Sequence, residues 1–484
     1  MSSAVTSGRL TLKTEARAGD TGQLGAVLAI GTCVVSCLLS AVGAGSLIQI
    51  AFPAVMVALA MILLLRRAWY SSLSFTLVTW LLASEVRRFA DWHTYFHAVS
   101  LISVTPALVS LVALPWALAG RRLVYRDVAT LMAITFIVMG ASFAVGVLRN
   151  GVGAALVDVL YLVAPATTGV FVLTVPSDRD RLKAILRYGA LVGTAALSAY
   201  AILQFLVLPP WDEAWITASE VSNIGLAEPG AFRAFSTLST TGPLGQVLAV
   251  LLLLLIAERR PGRQVIVFVF GLTALGITLV RAGWIGLALG AVVLLLLGRV
   301  KVWRLAAALT VMVLAIMTLG GPILERVADR ANETATSGTA DTSFSARLSF
   351  QSEIAPAALS DPVGKGFGAT GRGTEFSGLA AVDPKFRNFD SGIFETLTRY
   401  GSVGGLLLLG ALSVAVFGIL MRARRGTTLD ATVAAGIFAL WAGLIFTDTL
   451  RAVYGVLLWS LIGFAGRVDR TNVDDRAGSN VTVS

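Results

Sequence analysis

The sequence predicts an all-α polytopic membrane protein with about 12–14 transmembrane helices and one large extracytoplasmic loop. Three observations lead there. Apolar runs of membrane-spanning length recur along most of the chain. Of its 484 residues, 56% are hydrophobic and only 14% charged, with a mean hydropathy of +0.80, which excludes an ordinary soluble enzyme. Finally, basic residues gather in alternate turns between the apolar runs, as the positive-inside rule requires. The alternating ten-residue pattern of a transmembrane β-barrel is missing.

The apolar runs lie near 23–43, 46–65, 68–83, 98–119, 127–147, 152–175 and 188–207. Others follow near 239–257, 264–280, 282–298, 305–320, 402–420, 430–447 and 452–466. With the N-terminus inside, the cytoplasmic turns hold Arg66 and Arg67, Arg121, Arg122 and Arg126, Arg179 to Arg187, Arg259 to Arg263, Arg299 to Arg304, and Arg422 to Arg425. Both ends are then cytoplasmic. The segments read as a tail (1–22), N-terminal membrane helices (23–207), an outer loop (208–238) and membrane helices with an arginine motif (239–320). A large outer loop (321–401), C-terminal membrane helices (402–466) and a second tail (467–484) complete the chain. The polar start and the lack of a cleavage site after the first run point to a retained first helix, not a removed signal peptide. The net charge of +10 follows from these cytoplasmic turns, so no nucleic-acid partner is expected.

Metal and redox chemistry find little support. Cys33 and Cys37 share the first apolar helix with no histidine or carboxylate, and read as small packing residues. His93 and His97 are the only histidines, spaced i, i+4 without a third ligand, so no metal site is expected.

The informative residues are the arginines that no cytoplasmic turn explains. Arg88, Arg233, Arg281, Arg347 and Arg451 fall near outer helix mouths. A guanidinium is expensive in hydrocarbon, so Arg281, inside "TLVRAGWIG", belongs at a membrane face. There it grips phosphate with its planar fork or snorkels to lipid headgroups, and the same pair of readings applies to Arg88, Arg347 and Arg451.

The two outer loops supply the other candidates. Trp211 and Trp215 in "LPPWDEAW" read as interfacial anchors or as platforms for sugar rings. "GFGATG" at 366–371 matches a dinucleotide fingerprint by letter, but it follows no strand pattern in an outer loop. A glycine turn bringing backbone close to a ligand or a helix end is expected instead. Most acids of the second loop, Glu353, Glu375 and Glu395 among them, read as solvating it. Asp390 stands apart because "NFDSGIFETLTRYGSVGG" leads straight into a membrane helix, which puts it at the headgroup level.

An ordered series of segments resembles the O-antigen ligase and O-antigen polymerase superfamily of bacterial glycan enzymes. These are "FRAFSTLSTTGPLGQ" (232–246), "TLVRAGWIGLALG" (278–290), "ARLSFQSEIAPAALSDPVGKGFG" (346–368) and "FDSGIFETLTRYGSVGG" (389–405). "EVRRFADW" (85–92) and "LQFLVLPPWDEAW" (203–215) look like a subgroup of exopolysaccharide polymerases. The resemblance implies a C-type glycosyltransferase architecture in the bacterial cytoplasmic membrane, with neither cofactor nor metal. It implies an undecaprenyl-pyrophosphate-linked oligosaccharide as donor, and it makes Arg233 and Arg281 the arginines that grip the pyrophosphate. A ligase-type histidine is missing near Phe389, so Asp390 is the candidate base. Arg347, Arg88, Trp211, Trp215 and Arg451 are the candidate substrate-binding residues. The expected reaction is polymerisation of lipid-linked repeat units, ahead of ligation to another acceptor or transport of the lipid-linked glycan. Membrane lipids, a chain-length regulator and export proteins are the expected partners.

Overall fold

The computed structural model describes residues 20–97, 99–120, 122, 124–176, 178–219, 224–256, 261–300, 310, 342–377, 389 and 391–468. Among them the chain is helical, and its only β pairing is two isolated bridges, Val124 with Arg467 and Gly225 with Phe232. This is an all-α polytopic membrane protein. Apart from Thr310, the apolar run expected at 305–320 lies outside the described residues, as does the candidate base Asp390.

Helices α1 (Gln23–Leu39) and α2 (Gly45–Leu65) form a hairpin, reversed at Gly43, where φ is +94°. They pack with α3 (Trp69–Trp92) and α4 (Leu101–Val112) around Phe52, Met56, Phe75 and Val86. A short α5 (Leu114–Ala119) continues α4. Next come α6 (Arg126–Asn150), α7 (Val152–Asp158), α8 (Ala164–Thr174) and α9 (Arg179–Val207). Helix α10 (Pro210–Ala218) lies within the first long loop, followed by α11 (Thr241–Leu255), α12 (Pro261–Ile277) and α13 (Arg281–Leu296). The second loop holds α14 (Thr342–Ser360) and the short α15 (Thr374–Ser377). The chain closes with α16 (Gly392–Ala423), α17 (Thr428–Gly443) and α18 (Ala452–Ala465). Helix α16 starts well before the apolar run at 402–420, and Gly401 (φ +76°) breaks its line between the two parts.

Among the described residues, six stretches are long and apolar enough to cross a membrane, counting the α1–α2 hairpin as one, and five shorter apolar helices of 10–17 residues accompany them. Within lipid, helices gain little from apolar burial alone, so close backbone approach matters. Gly283 on α13 lies so near α11 that a Cβ would stand 2.7 Å from the Gly245 carbonyl oxygen. Gly463 on α18 meets the Gly169 carbonyl of α8 in the same way, at 2.3 Å.

Contacts define two ends of the bundle. At one, the arginines of the predicted cytoplasmic turns also fasten helices together. Arg422 pairs with Asp127 at 2.9 Å, Arg179 with Asp430 at 2.9 Å, and Arg299 donates to the Gly426 carbonyl at 2.6 Å. The opposite end carries the described parts of both long loops, together with the described candidate residues.

Candidate active site at the loop-bearing end

After α10 the described part of the first loop, residues 224–238, is irregular, and several of its backbone polar groups find partners within the loop or on neighbouring helices. Residues 224–233 fold into a tight hairpin, with the Arg233 nitrogen donating to the Ile224 carbonyl at 2.7 Å. Phe232 and Phe235 turn inward to a small core with Leu208, Trp215, Ile216 and Ile224. Gln204 on α9 accepts from the Phe235 and Ser236 nitrogens at 3.0 and 2.9 Å. Arg88 on α3 donates to the Ser236 and Leu238 carbonyls at 2.5 and 2.6 Å. Its charge is met by Asp212 at 2.8 Å and by Glu85.

This scaffold sets the position of Arg233. The Ala234 nitrogen donates to the Ile277 carbonyl at 3.2 Å, and Arg233 Nη2 reaches the Leu279 carbonyl at 3.2 Å. Leu279 belongs to the turn between α12 and α13, and Arg281 is the first residue of α13. The two arginines expected to act together therefore stand on adjoining turns, both half-buried. A cation at a helix N-terminus adds to the positive end of the macrodipole, which disfavours the empty site and favours a bound anion. Arg451 repeats the arrangement as the residue that caps α18.

Backbone strain gathers at the same end. Of the described non-glycine residues with positive φ, Leu208, Ser236, Leu279 and Ala452 lie there and only Arg67 does not. Such conformations each cost on the order of 1–3 kcal/mol and persist where surrounding contacts over-determine them.

The glycine turn of the second loop behaves as its sequence predicts, bringing backbone against helix ends. Gly364, Gly366, Gly368 and Gly371 all have positive φ. The Phe367 nitrogen donates to the Ser142 carbonyl at 3.0 Å, and Asn150 donates to the Lys365 and Phe367 carbonyls. Arg149 closes the turn with a 2.7 Å bond to the Gly364 carbonyl.

Beneath this turn lies a buried charged cluster that the sequence does not lead one to expect. Arg399 is fully buried among Asp158 on α7, Glu395 one helical turn earlier, and Asp448 in the α17–α18 connection at 3.1 Å. Thr370 of the glycine turn accepts from the same guanidinium at 2.6 Å. Glu395 also meets Arg451 at 3.1 Å. Burial, reinforced by neighbouring Glu395, raises the Asp448 carboxyl above the usual carboxylate range. The expectation that Glu395 solvates the loop is corrected here, because its side chain is buried. The available signals were Asp158 inside an apolar run and the i, i+4 pair in "FETLTRYG", since ionisable groups at membrane depth mark function.

Two further expectations change. Arg88 gives its fork to protein carbonyls and carboxylates in a fully buried setting, so it supports the loop rather than facing a substrate. Trp215 packs inside the small loop core under the Arg87 guanidinium, 4.8 Å from its ring, which leaves neither an interfacial nor a sugar-stacking face. Trp211 is half-buried, stacked on Phe89 at 4.2 Å, with its indole nitrogen donating to Tyr200 Oη at 2.7 Å. Arg347 lies on α14.

Residues 265–409 match the family model described as O-Antigen ligase. This supports an O-antigen ligase/polymerase-like family, and with it a general role in polysaccharide biosynthesis at a membrane. The matched segment includes Arg281, Arg347, the glycine turn, Glu395 and Arg399, whereas Arg233, Arg88 and Arg451 lie outside it. No curated protein matches the chain.

Proposed function

We propose that this protein is a polysaccharide polymerase of the bacterial cytoplasmic membrane. It joins oligosaccharide repeat units carried on undecaprenyl pyrophosphate, with the loop-bearing end facing outward. The observation that carries this reading is the placement of Arg233 and Arg281 on adjoining turns, with Arg281 at a helix N-terminus. Such a pair suits a pyrophosphate leaving group. Fixed guanidiniums stabilise the charge that develops as the anomeric carbon–oxygen bond breaks, without requiring a metal.

An acceptor sugar hydroxyl attacks that anomeric carbon and forms the new glycosidic bond. Its proton passes to a carboxylate, for which Asp390 is the candidate. Undecaprenyl pyrophosphate leaves with the electron pair of the broken bond. Arg451 and Arg347 are additional candidates for holding phosphate, and half-buried Trp211 for contacting a sugar ring. A chain-length regulator and export proteins are the proposed partners.

The test uses purified protein in liposomes with one short oligosaccharide on undecaprenyl pyrophosphate, its products followed by mass spectrometry. A ladder of longer glycans with freed undecaprenyl pyrophosphate is expected. Transfer only to a different acceptor makes the protein a ligase, and movement of intact substrate between leaflets makes it a transporter.

A further inference from the structure

We infer that Glu395 is a positioning residue that aims Arg451 at a phosphate of the lipid-linked substrate. The inference rests on the functional reading above but adds a group that reading does not use.

Arg451 is the most exposed of the charged residues in the buried cluster, with 18% of its side chain accessible. Nη1 is committed to Glu395 at 3.1 Å, and the guanidinium lies 5.8 Å from the Tyr161 ring centroid. Among the described residues, Glu395 supplies the guanidinium's only hydrogen bond, which leaves Nε and Nη2 available to a further acceptor. A single anchored nitrogen fixes the direction of the planar fork while leaving its other donors available for a bidentate partner.

The surroundings make that arrangement rigid. Arg399 holds Glu395 from within helix α16 and is itself tied to Asp158 and Asp448. Thr370 donates to the same Glu395 oxygen at 3.1 Å. Gly371 (φ +62°) passes so close that a Cβ would lie 2.3 Å from Arg451 Nη1. Ala452 adopts φ +50°, a left-handed conformation disfavoured for alanine, directly after the arginine. A surface arginine that merely snorkels to lipid needs neither a buried acid beneath it nor a glycine cleared from beside it. The Arg451 charge also sits at the positive end of α18, an arrangement that gains when an anion arrives.

The experiment measures binding of undecaprenyl pyrophosphate to the full-length protein in detergent, alongside thermal midpoints. The variants are Arg451→Ala, Arg451→Lys, Glu395→Gln and the double variant Glu395→Gln/Arg451→Ala. Arg451→Ala is expected to weaken binding at least about tenfold, and Arg451→Lys to recover little of it, because an ammonium lacks the fork. Glu395→Gln keeps shape and an acceptor oxygen, and is expected to weaken binding several-fold alone but not further in the Arg451→Ala background.

Unchanged binding in Glu395→Gln overturns the inference. So does a Glu395→Gln loss that persists in full without Arg451, or a collapse of its melting midpoint while Arg451→Ala stays folded. Equal displacement of the ligand by phosphatidylglycerol also overturns it, since the fork would then hold a lipid headgroup. Because the readout is binding, a wild-type protein that binds normally yet yields no glycan ladder defeats the polymerase reading and leaves this one standing.

Discussion

Gly366 and Gly146 meet backbone to backbone, so closely that a Cβ on Gly366 would lie 2.4 Å from the Gly146 nitrogen. This contact seats the glycine turn of the second loop on α6 and thereby sets the height of Thr370 above the buried Arg399. A Gly366→Ala substitution meets both the clash and a φ of +80°, of which the backbone conformation alone costs about 1–2 kcal/mol. The expected outcome is a lowered melting midpoint together with reduced glycan synthesis in liposomes. Gly410 has open space around its Cα, so Gly410→Ala should change neither. Equal midpoints for the two variants would show that the turn does not pack as described.

Arg281 is expected to be required for turnover but not for folding. Arg281→Ala should express and melt like the wild type while its glycan ladder disappears. Arg281→Lys should remain impaired, because one point charge replaces a two-pronged donor at a helix N-terminus. Full turnover in Arg281→Ala would remove this residue from the donor site.

Arg88 should behave in the opposite way, although both arginines look alike in the sequence. Removing one partner from a buried ion pair leaves uncompensated charge and costs about 3–5 kcal/mol. Arg88→Ala would strand Asp212, Glu85 and two loop carbonyls. A sharp fall in the yield of monodisperse protein on size-exclusion chromatography is expected. Arg88→Ala with wild-type yield and midpoint would return this residue to the substrate-binding set.

The contrast between Arg88 and Arg281 shows where sequence reasoning stops. Hydropathy and basic turns were enough for the helical membrane architecture, because both follow from burial in lipid and depend on local runs. Nothing in spacing alone brings Arg233 beside the turn that leads into Arg281; only the family resemblance linked two residues so far apart in the chain. Whether an outer arginine faces inward or outward depends on partners such as Asp212, Ser236 and Leu238, which come from other elements. The Glu395–Arg399 pair carries its own signal, an i, i+4 acid and base ahead of a membrane run, but with the apolar run starting at 402 the pair reads as loop. Trp215 misled for the same reason: an interfacial tryptophan and a core tryptophan under a loop have identical local sequence.

At the opposite end of the bundle, Asp20 caps a helix to which it does not belong. Helix α3 begins without a capping side chain of its own, following Ala68. Asp20 accepts from the Tyr70 and Ser71 nitrogens of its first turn at 2.9 and 3.1 Å, and from Ser71 Oγ at 2.6 Å. Its carbonyl also accepts from Arg181 at 2.9 Å, which ties the start of α9 to the same point. Loss of an N-cap typically costs about 1 kcal/mol. Asp20→Ala is therefore expected to lower the melting midpoint modestly, Asp20→Asn to recover most of that loss through its remaining acceptor oxygen, and both to synthesise glycan at the wild-type rate. A loss of synthesis in Asp20→Asn at an unchanged midpoint would mean that this end of the bundle takes part in turnover, which the site described here does not require.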